Sequence, residues 1–161
     1  MNVCLIGYNL TNFLLGLLLS KKGFKVDIIF EDKKIFKNTN RTVGISKNNI
    51  DFIKSFFNIS NQHVWPIRQI EVFNLKYDPK KKIKFKDKKN ENFYLVKYYN
   101  LFKLTETKCN QLKNINFKKM SKKQILMLEK KNKYNFVLNS QINNILTKKF
   151  FSNRIKKDYK A

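Results

Sequence analysis

The residues that follow the first apolar run could bind a phosphate group. The run Asn2–Ile6 ends at Gly7, and Asn9 and Asn12 stand where a dinucleotide-binding glycine motif would continue. A glycine directly after a buried strand permits a tight turn, which delivers backbone N–H groups and a helix N-terminus to a pyrophosphate. We therefore predict that this turn faces a pyrophosphate. The candidate cofactor-binding residues are Gly7, Tyr8, Asn9, Leu10, Thr11 and Asn12.

The two asparagines change this turn in different ways. Asparagine tolerates left-handed backbone angles better than most residues, so we expect Asn9 to keep the shape of the turn while crowding the phosphate. Asn12 stands where a glycine would let the helix approach the strand, and we expect it to hold the helix further away. Gly16, one helical turn later, partly compensates. The alternative interpretation is an ordinary strand–helix–strand edge that binds no ligand.

An acidic residue is expected about 20 residues after the glycines, where it would bind the ribose of a dinucleotide. Phe30 and Glu31 compete for this position. Successive side chains of a strand point to opposite faces, so Glu31 reaches a ribose only if the strand bulges or has already ended. The alternative interpretation of Glu31 is a solvated strand end.

A strand, a helix and a second strand must position these residues. The lengths of the apolar runs, and the residues at which they end, predict a strand over Asn2–Ile6 and a helix over Leu10–Leu19. They also predict that the helix stops at Gly23 and that a second strand covers Phe24–Phe30. We therefore predict that the chain opens with a βαβ unit of the dinucleotide-binding kind.

The middle of the chain shows weaker patterns, which combine alternation, helical spacing and turn residues. Arg41–Ser46 alternates weakly and includes Gly44. The predicted elements after it are a helix capped by Asn48 or Asn49, a strand over Trp65–Asn74, a lysine-rich hairpin or loop over Lys80–Asn92, a strand over Phe93–Val96 and a helix over Tyr98–Cys109.

The patterns in the last third of the sequence predict three short strands and a helix. The strands cover Ile115–Met120, Gln124–Glu129 and Tyr134–Leu138, with Lys130–Lys133 as the turn of the last hairpin. A loop and a helix occupy Asn139–Ser152. The last residues show no pattern typical of a C-terminus, and we expect a fragment or a shortened reading frame.

The composition is that of one folded domain. The chain has 161 residues, of which 42% are hydrophobic and 14% aromatic, enough for one good core. No apolar window is long enough to span a bilayer and no signal peptide is visible, so we expect a cytosolic protein. Cys4 and Cys109 predict buried or free thiols, and a single histidine, His63, cannot build a metal cluster.

The formal net charge of +24 favours contact with phosphates, either in nucleic acid or at an anionic membrane. Only Arg41, Arg68 and Arg154 are arginine among 35 basic residues. Residues with A/T-rich codons are plentiful, and dedicated nucleic-acid readers favour arginine for its two-pronged guanidinium. We therefore interpret most lysines as compositional drift on solvated faces. Each lysine close to an anionic membrane surface still contributes about 1 kcal/mol of attraction.

The order of features resembles the N-terminal half of flavin-dependent aromatic-ring monooxygenases. It most resembles the ubiquinone-biosynthesis hydroxylase branch of the p-hydroxybenzoate-hydroxylase-like family. The resemblance covers most of the chain in order. It is carried by VCLIGYNLTNFLLGLLLSKKGFKVDIIFE from Val3, RTVGISKNNIDFIKSFFNI from Arg41, WPIRQIEVFN from Trp65, which is the most specific match, and YLVKYYNLFKL from Tyr94.

The resemblance implies an α/β chain with a Rossmann-like FAD/NAD(P)-binding ββα three-layer fold, incomplete, with an inserted β-rich segment. It implies one FAD-binding domain over residues 1–161, which ends before the second flavin motif and most of the substrate domain. The family's Asp-Gly segment, which serves flavin and nicotinamide, falls on Gln141, Ile142, Ile145 and Lys148, where the match is positional only.

The resemblance also implies roles for residues and partners. The Gly7 turn would face the FAD pyrophosphate, Glu31 the adenosine ribose and Arg41 the flavin-side phosphates. The implied substrate is an aromatic polyprenyl quinone precursor, hydroxylated at the membrane surface, with NAD(P)H as electron donor and a partner chain that completes the site. The flavin carries the oxygen chemistry, so no catalytic side chain is predicted. The alternatives are a degenerate, non-catalytic Rossmann-like module and, ranked third, a basic nucleic-acid-binding protein.

Overall fold

The computed structural model describes residues 1–33, 41–60, 63–73, 82–86, 93–128, 133–141 and 144–150. The chain forms two compact units. The first comprises Met1–Ile35 and Thr105–Ala161, and the second comprises Phe36–Leu104. In chain order the elements are β1 (Asn2–Ile6), α1 (Leu10–Lys21), β2 (Lys25–Phe30), β3 (Thr42–Ser46), α2 (Lys47–Lys54), β4 (Val64–Ile67), β5 (Gln69–Phe73), β6 (Lys82–Lys86), β7 (Phe93–Lys97), α3 (Tyr98–Asn110), β8 (Ile115–Lys119), α4 (Lys122–Leu126), β9 (Phe136–Asn139) and α5 (Ile145–Phe150).

The first unit is built on a parallel sheet with the strand order β8-β2-β1-β9. The two central strands are buried on both faces, with the burial starting at the second residue of each. This pattern is typical of parallel strands covered by helices on both sides, and it explains why NVCLI and KVDIIF show continuous apolar runs instead of alternation.

Helix α1 covers one face of this sheet. An added Cβ on Gly16 would lie 3.5 Å from Ile28 and 3.8 Å from both Leu5 and Ile115, which is ordinary van der Waals contact. On the opposite face Cys4, Ile6 and Ile29 form a buried cluster with residues from the segments of α4 and α5, namely Ile125, Leu128 and Leu146. Helix, sheet and helix make three layers, which confirms the predicted Rossmann-like α/β class.

The second unit is the inserted β-rich segment. Its main sheet is antiparallel, with the order β3-β7-β4, and β5 pairs with β6 in a separate two-stranded sheet. Helix α2 buries Ile50 and Ile53. Within the described residues no helix is long and apolar enough to cross a membrane.

Two expectations for the second unit were wrong in detail. Ser46, not Asn48 or Asn49, caps α2, because its backbone is extended and its side chain accepts from the N–H of Asn49. The single strand expected over Trp65–Asn74 is split at Arg68. Successive side chains of a strand point to opposite faces, so residues on one face are an even number of positions apart. Ile67 and Ile70 are three positions apart, so one continuous strand cannot keep both on the same face. Only Lys82–Lys86 of the lysine-rich segment lies within the described residues.

Two expectations for the last third were also wrong. Residues 124–128 of the strand expected over Gln124–Glu129 do not form a strand, because Ser121 and Gln124 form a capping box that starts α4. The strand near residue 136 exists, but it pairs with β1 in parallel instead of closing a hairpin. Residues 130–132 of the predicted turn, and Glu129, lie outside the described residues. The helix expected within Asn139–Ser152 is α5.

Candidate functional site

The turn after β1 requires glycine. Gly7 has a φ of +126°, and its N–H donates to the carbonyl of Ile29 at 2.8 Å. An added Cβ on Gly7 would lie 2.8 Å from Asn9 Nδ2 and 2.9 Å from both Gln141 Cγ and Ser140 Oγ. Both the backbone angle and the surrounding atoms therefore exclude a larger side chain, as the sequence predicted for the glycine of the tight turn.

Asn9 does not adopt the left-handed angles we expected. Its φ of −152° and ψ of 164° are extended, and its side chain caps α1 by accepting from the N–H of Asn12 at 3.0 Å. Its Nδ2 atom also donates to Ser140 Oγ at 2.7 Å. Asparagine is a favoured N-cap residue, so this position stabilises the helix and links it to the segment after β9.

Asn12 ties α1 to the turn. It is 1% exposed, and its Nδ2 atom donates to the carbonyl oxygen of Gly7 at 2.8 Å. The side chain therefore satisfies a buried carbonyl next to the turn, in the place where a glycine would only reduce the helix–strand distance. The sequence did not predict this hydrogen bond, and the larger helix–strand separation stays a prediction.

The start of α1 offers two N–H groups to an anion. Within the described residues, the backbone N–H groups of Leu10 and Thr11 have no acceptor, as is usual in the first turn of a helix. The first turn contains no acidic residue. The first turn therefore places no carboxylate next to the partial positive charge of the helix N-terminus, and this end of the helix can accept a phosphate oxygen.

Tyr8 contributes its side chain to the core. The residue is 6% exposed, and its ring makes edge contacts with Phe13, Phe30 and Phe117 at centroid distances of 4.8 to 5.8 Å. Only its backbone remains a candidate for the phosphate-facing turn.

The structure shows that β2 ends at Phe30, so Glu31 lies after the strand. This is one of the two conditions that we set for its contact with a ribose.

The residues that follow β9 lie against the glycine turn. Ser140 donates its N–H to the carbonyl of Ile6 at 3.1 Å. Beyond it, Asn139 holds Asn144 and Thr147 through hydrogen bonds of 2.7 to 3.1 Å, and Thr147 Oγ1 donates to the Gln141 carbonyl at 2.7 Å. These side chains satisfy one another. Ile142 and the side chain of Lys148 lie outside what the structure describes, and Ile145 is half-buried at the first position of α5.

Arg41 lies in the second unit. Its guanidinium lies over the ring of Tyr98, 5.4 Å from the centroid, and its carbonyl accepts from the Tyr98 N–H at 2.9 Å. A guanidinium stacks well on an aromatic ring, but Lys33 and Lys54 also lie over rings in this chain, so the contact does not by itself require arginine. Its role at the flavin phosphates stays a prediction.

The sequence analysis missed a buried polar cluster around Asp27. Asp27 is 8% exposed, and its carboxylate accepts from Lys118 Nζ at 2.5 Å, from Tyr134 Oη at 2.6 Å and from Asn116 Nδ2 at 3.2 Å. Burial by itself raises the pKa of Asp27, but the hydrogen bonds and the charge of Lys118 outweigh it, so the pKa lies below its ordinary value. The signal was present, since a lone aspartate in an apolar strand needs partners.

The cluster also affects its neighbours. Burial, followed by the hydrogen bond to Asp27, raises the pKa of the Tyr134 hydroxyl. Burial and the negative charge of Asp27 raise the pKa of the Cys4 thiol to about 12. Burial and the charge of Glu106 raise the pKa of Cys109 to about 12 as well. Both thiols are therefore protonated at neutral pH, and the structure records both as free and buried, as the sequence predicted.

Comparisons with known proteins give the fold. No protein-family model matches the sequence, and no curated protein sequence matches it. A probable FAD-dependent monooxygenase from Pseudomonas aeruginosa is similar with a TM-score of 0.64 and 10% identity, over 99% of this chain and 48% of that chain. The p-nitrophenol 4-monooxygenase of Pseudomonas putida is similar with a TM-score of 0.54 and 12% identity, over 72% of this chain and 31% of that one.

A third similar structure is a geranylgeranyl bacteriochlorophyll reductase-like protein from Thermoplasma acidophilum, with a TM-score of 0.56 and 16% identity, over 72% of this chain and 29% of that chain. The chain therefore has the fold found in the FAD-dependent monooxygenases of this group, and it spans 29% to 48% of the length of these three structures. At these identities the likeness concerns the fold alone.

Proposed function

We propose that this chain is the FAD-binding part of a flavoprotein monooxygenase and that both units belong to one FAD-binding domain over residues 1–161. The observation that carries the proposal is the glycine turn at the end of β1. Gly7 has a positive φ, α1 starts three residues later, and the N–H groups of Leu10 and Thr11 have no acceptor among the residues that the structure describes. The fold shared with FAD-dependent monooxygenases supports the same cofactor.

The residues present fit a pyrophosphate at this turn. Leu10 and Thr11 would donate their N–H groups to phosphate oxygens, and the partial positive charge of the helix N-terminus would stabilise them. Glu31 would accept from the hydroxyls of the adenosine ribose, and Arg41 would pair with the flavin-side phosphate. A bound flavin supplies the oxygen chemistry. The chain's own residues bind and orient the cofactor.

We propose that the substrate is an aromatic polyprenyl quinone precursor. A protein that works at a membrane surface would reach such a substrate. Similar structures include hydroxylases of small aromatic rings, which supports an aromatic substrate class. We further propose NAD(P)H as the electron donor and a partner chain that completes the site, since the similar structures are at least twice as long.

The visible absorption of the purified protein with FAD tests the proposed function. We expect a bound-flavin spectrum with shifted and structured bands. Arg41→Ala should weaken FAD binding about ten- to a hundredfold, because a charge-assisted contact contributes about 1.5–3 kcal/mol. Arg68→Ala is the matched control, since it removes another of the chain's arginines and should leave FAD binding unchanged. A colourless protein that ignores FAD would overturn the proposal.

A non-catalytic Rossmann-like module is the second candidate. The hydrogen bond between Asn9 Nδ2 and Ser140 Oγ favours it, because this bond covers the glycine turn with side chains that need no ligand. The two candidates differ in the effect of FAD on unfolding. A ligand that binds only the native state must stabilise it, so an unchanged unfolding midpoint with FAD in excess would favour the module.

A further inference from the structure

The β5–β6 hairpin presents an apolar face that the rest of its unit leaves exposed. Ile70 lies opposite Phe85 and Val72 opposite Ile83 in the antiparallel register, so the four residues share one face. Val72 is 52% exposed, Ile83 62% and Phe85 57%. We call these four residues the hairpin apolar face. Such a contiguous apolar surface marks a site of interaction.

A cavity of the second unit continues this face. Its volume is about 340 Å³, and it is lined by Ile67, Arg68, Gln69, Ile70, Phe85 and Phe93. Ile70 and Phe85 belong to both the hairpin apolar face and the cavity wall. An apolar group that contacts the hairpin therefore also has a cavity to enter, which a flat docking surface would not provide.

Lysines accompany the apolar residues of this hairpin. Residues 80–89 read KKKIKFKDKK, with seven lysines and one acid. Lys82, Lys84 and Lys86 alternate with Ile83 and Phe85 along β6. The Lys84 side chain is 51% exposed, and its ammonium lies 3.5 Å from Glu71. Because successive residues of a strand point to opposite faces, Lys84 lies on the face opposite Ile83 and Phe85. A hairpin with one apolar face and one lysine-bearing face matches the chemistry of an anionic bilayer, which offers hydrocarbon next to phosphate.

We propose that the hairpin apolar face inserts into the interface of an anionic lipid bilayer while the neighbouring lysines contact lipid phosphates. Apolar insertion and lysine attraction act together, because either one alone gives only weak, reversible binding. This inference deepens the membrane part of the proposed function and names its element. It does not depend on the flavin, and the test uses the apoprotein, so its failure is distinct from a failure to bind FAD.

Co-sedimentation with vesicles tests the proposal. We expect the full chain to bind vesicles of phosphatidylcholine with 30% phosphatidylglycerol at 100 mM salt, and to bind pure phosphatidylcholine at least tenfold more weakly. The double variant Ile83→Ser/Phe85→Ser should bind the anionic vesicles at least tenfold more weakly than the wild type. The matched control is Met127→Ser/Phe136→Ser, which removes two side chains of the first unit that are each 54% exposed. It should bind within twofold of the wild type.

A second measurement locates the contact. Cys4 and Cys109 are both 0% exposed, so a cysteine introduced by Ile83→Cys can be labelled selectively with a polarity-sensitive dye. Anionic vesicles should shift its emission to the blue, and a label introduced by Met127→Cys should not respond. The proposal is overturned if the serine variant binds as the wild type does, or if the label at position 83 stays in water on vesicle-bound protein. It is also overturned if no vesicle binds, which would make the face a protein-contact surface.

Discussion

Each residue of the turn after β1 has a separate task. Gly7 supplies a backbone angle, Asn9 caps the helix, and Asn12 satisfies the Gly7 carbonyl. The need for glycine at position 7 was predictable from its place after an apolar run. The tasks of the asparagines were not, because they depend on the carbonyl of Gly7 and on Ser140, which is 131 positions from Asn9.

Gly7→Ala tests the strain at this turn. The new Cβ would face three atoms within 3.0 Å at a φ of +126°, so we expect the variant to lose about 1–3 kcal/mol of unfolding free energy. Urea denaturation measures the loss. Gly44→Ala is the control, because nothing lies within 4 Å of its added Cβ, and its stability should be unchanged or slightly higher. Equal stability of the two variants would contradict the account of the turn.

At the scale of elements, the predictions held where local pattern and burial agree. The opening strand, helix and strand were predictable because buried parallel strands are short apolar runs that end at Gly7 and at the acids Glu31 and Asp32. The strand prediction for residues 124–128 was wrong because a capping box, not alternation, decides their structure. The parallel pairing of β9 with β1 joins residues more than 130 positions apart, and no local pattern encodes it.

Asp27 joins β2 to β8 and to Tyr134, which precedes β9, and it makes stability depend on pH. Its pKa is below the ordinary value in the folded chain, so the carboxylate stabilises the fold above the unfolded pKa of about 3.9. This contribution is lost as the pH falls through the lower folded pKa. At pH 7 we expect Asp27→Asn to cost about 1.5–3 kcal/mol, since it removes the charge from hydrogen bonds with Lys118 and Tyr134.

Urea denaturation between pH 2 and pH 7 measures this contribution. The difference between wild type and Asp27→Asn should shrink as the pH falls below about 4. Asp32→Asn is the matched control. Asp32 pairs with Lys119 at 3.1 Å, but both side chains are more than 70% exposed, so its loss should have little effect at any pH. A difference for Asp27→Asn that stays constant with pH would contradict the role of its charge.

At the scale of the whole molecule, the net charge of +24 attracts any polyanion but selects none. We expect the dissociation constant for duplex DNA to be above about 1 µM at 150 mM salt and independent of sequence. Lysines that contact only phosphates gain affinity from the release of counterions, which is the same for every sequence. Fluorescence anisotropy with two unrelated duplexes at several salt concentrations measures it. Submicromolar binding that distinguishes the two sequences would support the nucleic-acid hypothesis, which we rank third.

We propose above that the N-terminus of α1 binds the pyrophosphate of FAD. Leu10 is the first residue of the helix, where proline is accommodated, and the extended backbone of Asn9 suits a residue before proline. Leu10→Pro therefore removes one phosphate-facing N–H without breaking the helix. Leu10→Ala is the matched control, because it removes the same side chain and keeps the N–H.

The most direct measurement is the dissociation constant of FAD for the wild type and these two variants, from quenching of flavin fluorescence. We expect Leu10→Ala to bind FAD within twofold of the wild type. Leu10→Pro should bind about ten- to a hundredfold more weakly, because one hydrogen bond to a charged oxygen contributes about 1.5–3 kcal/mol. Binding by Leu10→Pro as tight as that of Leu10→Ala, or no binding of FAD by the wild type, would contradict the account.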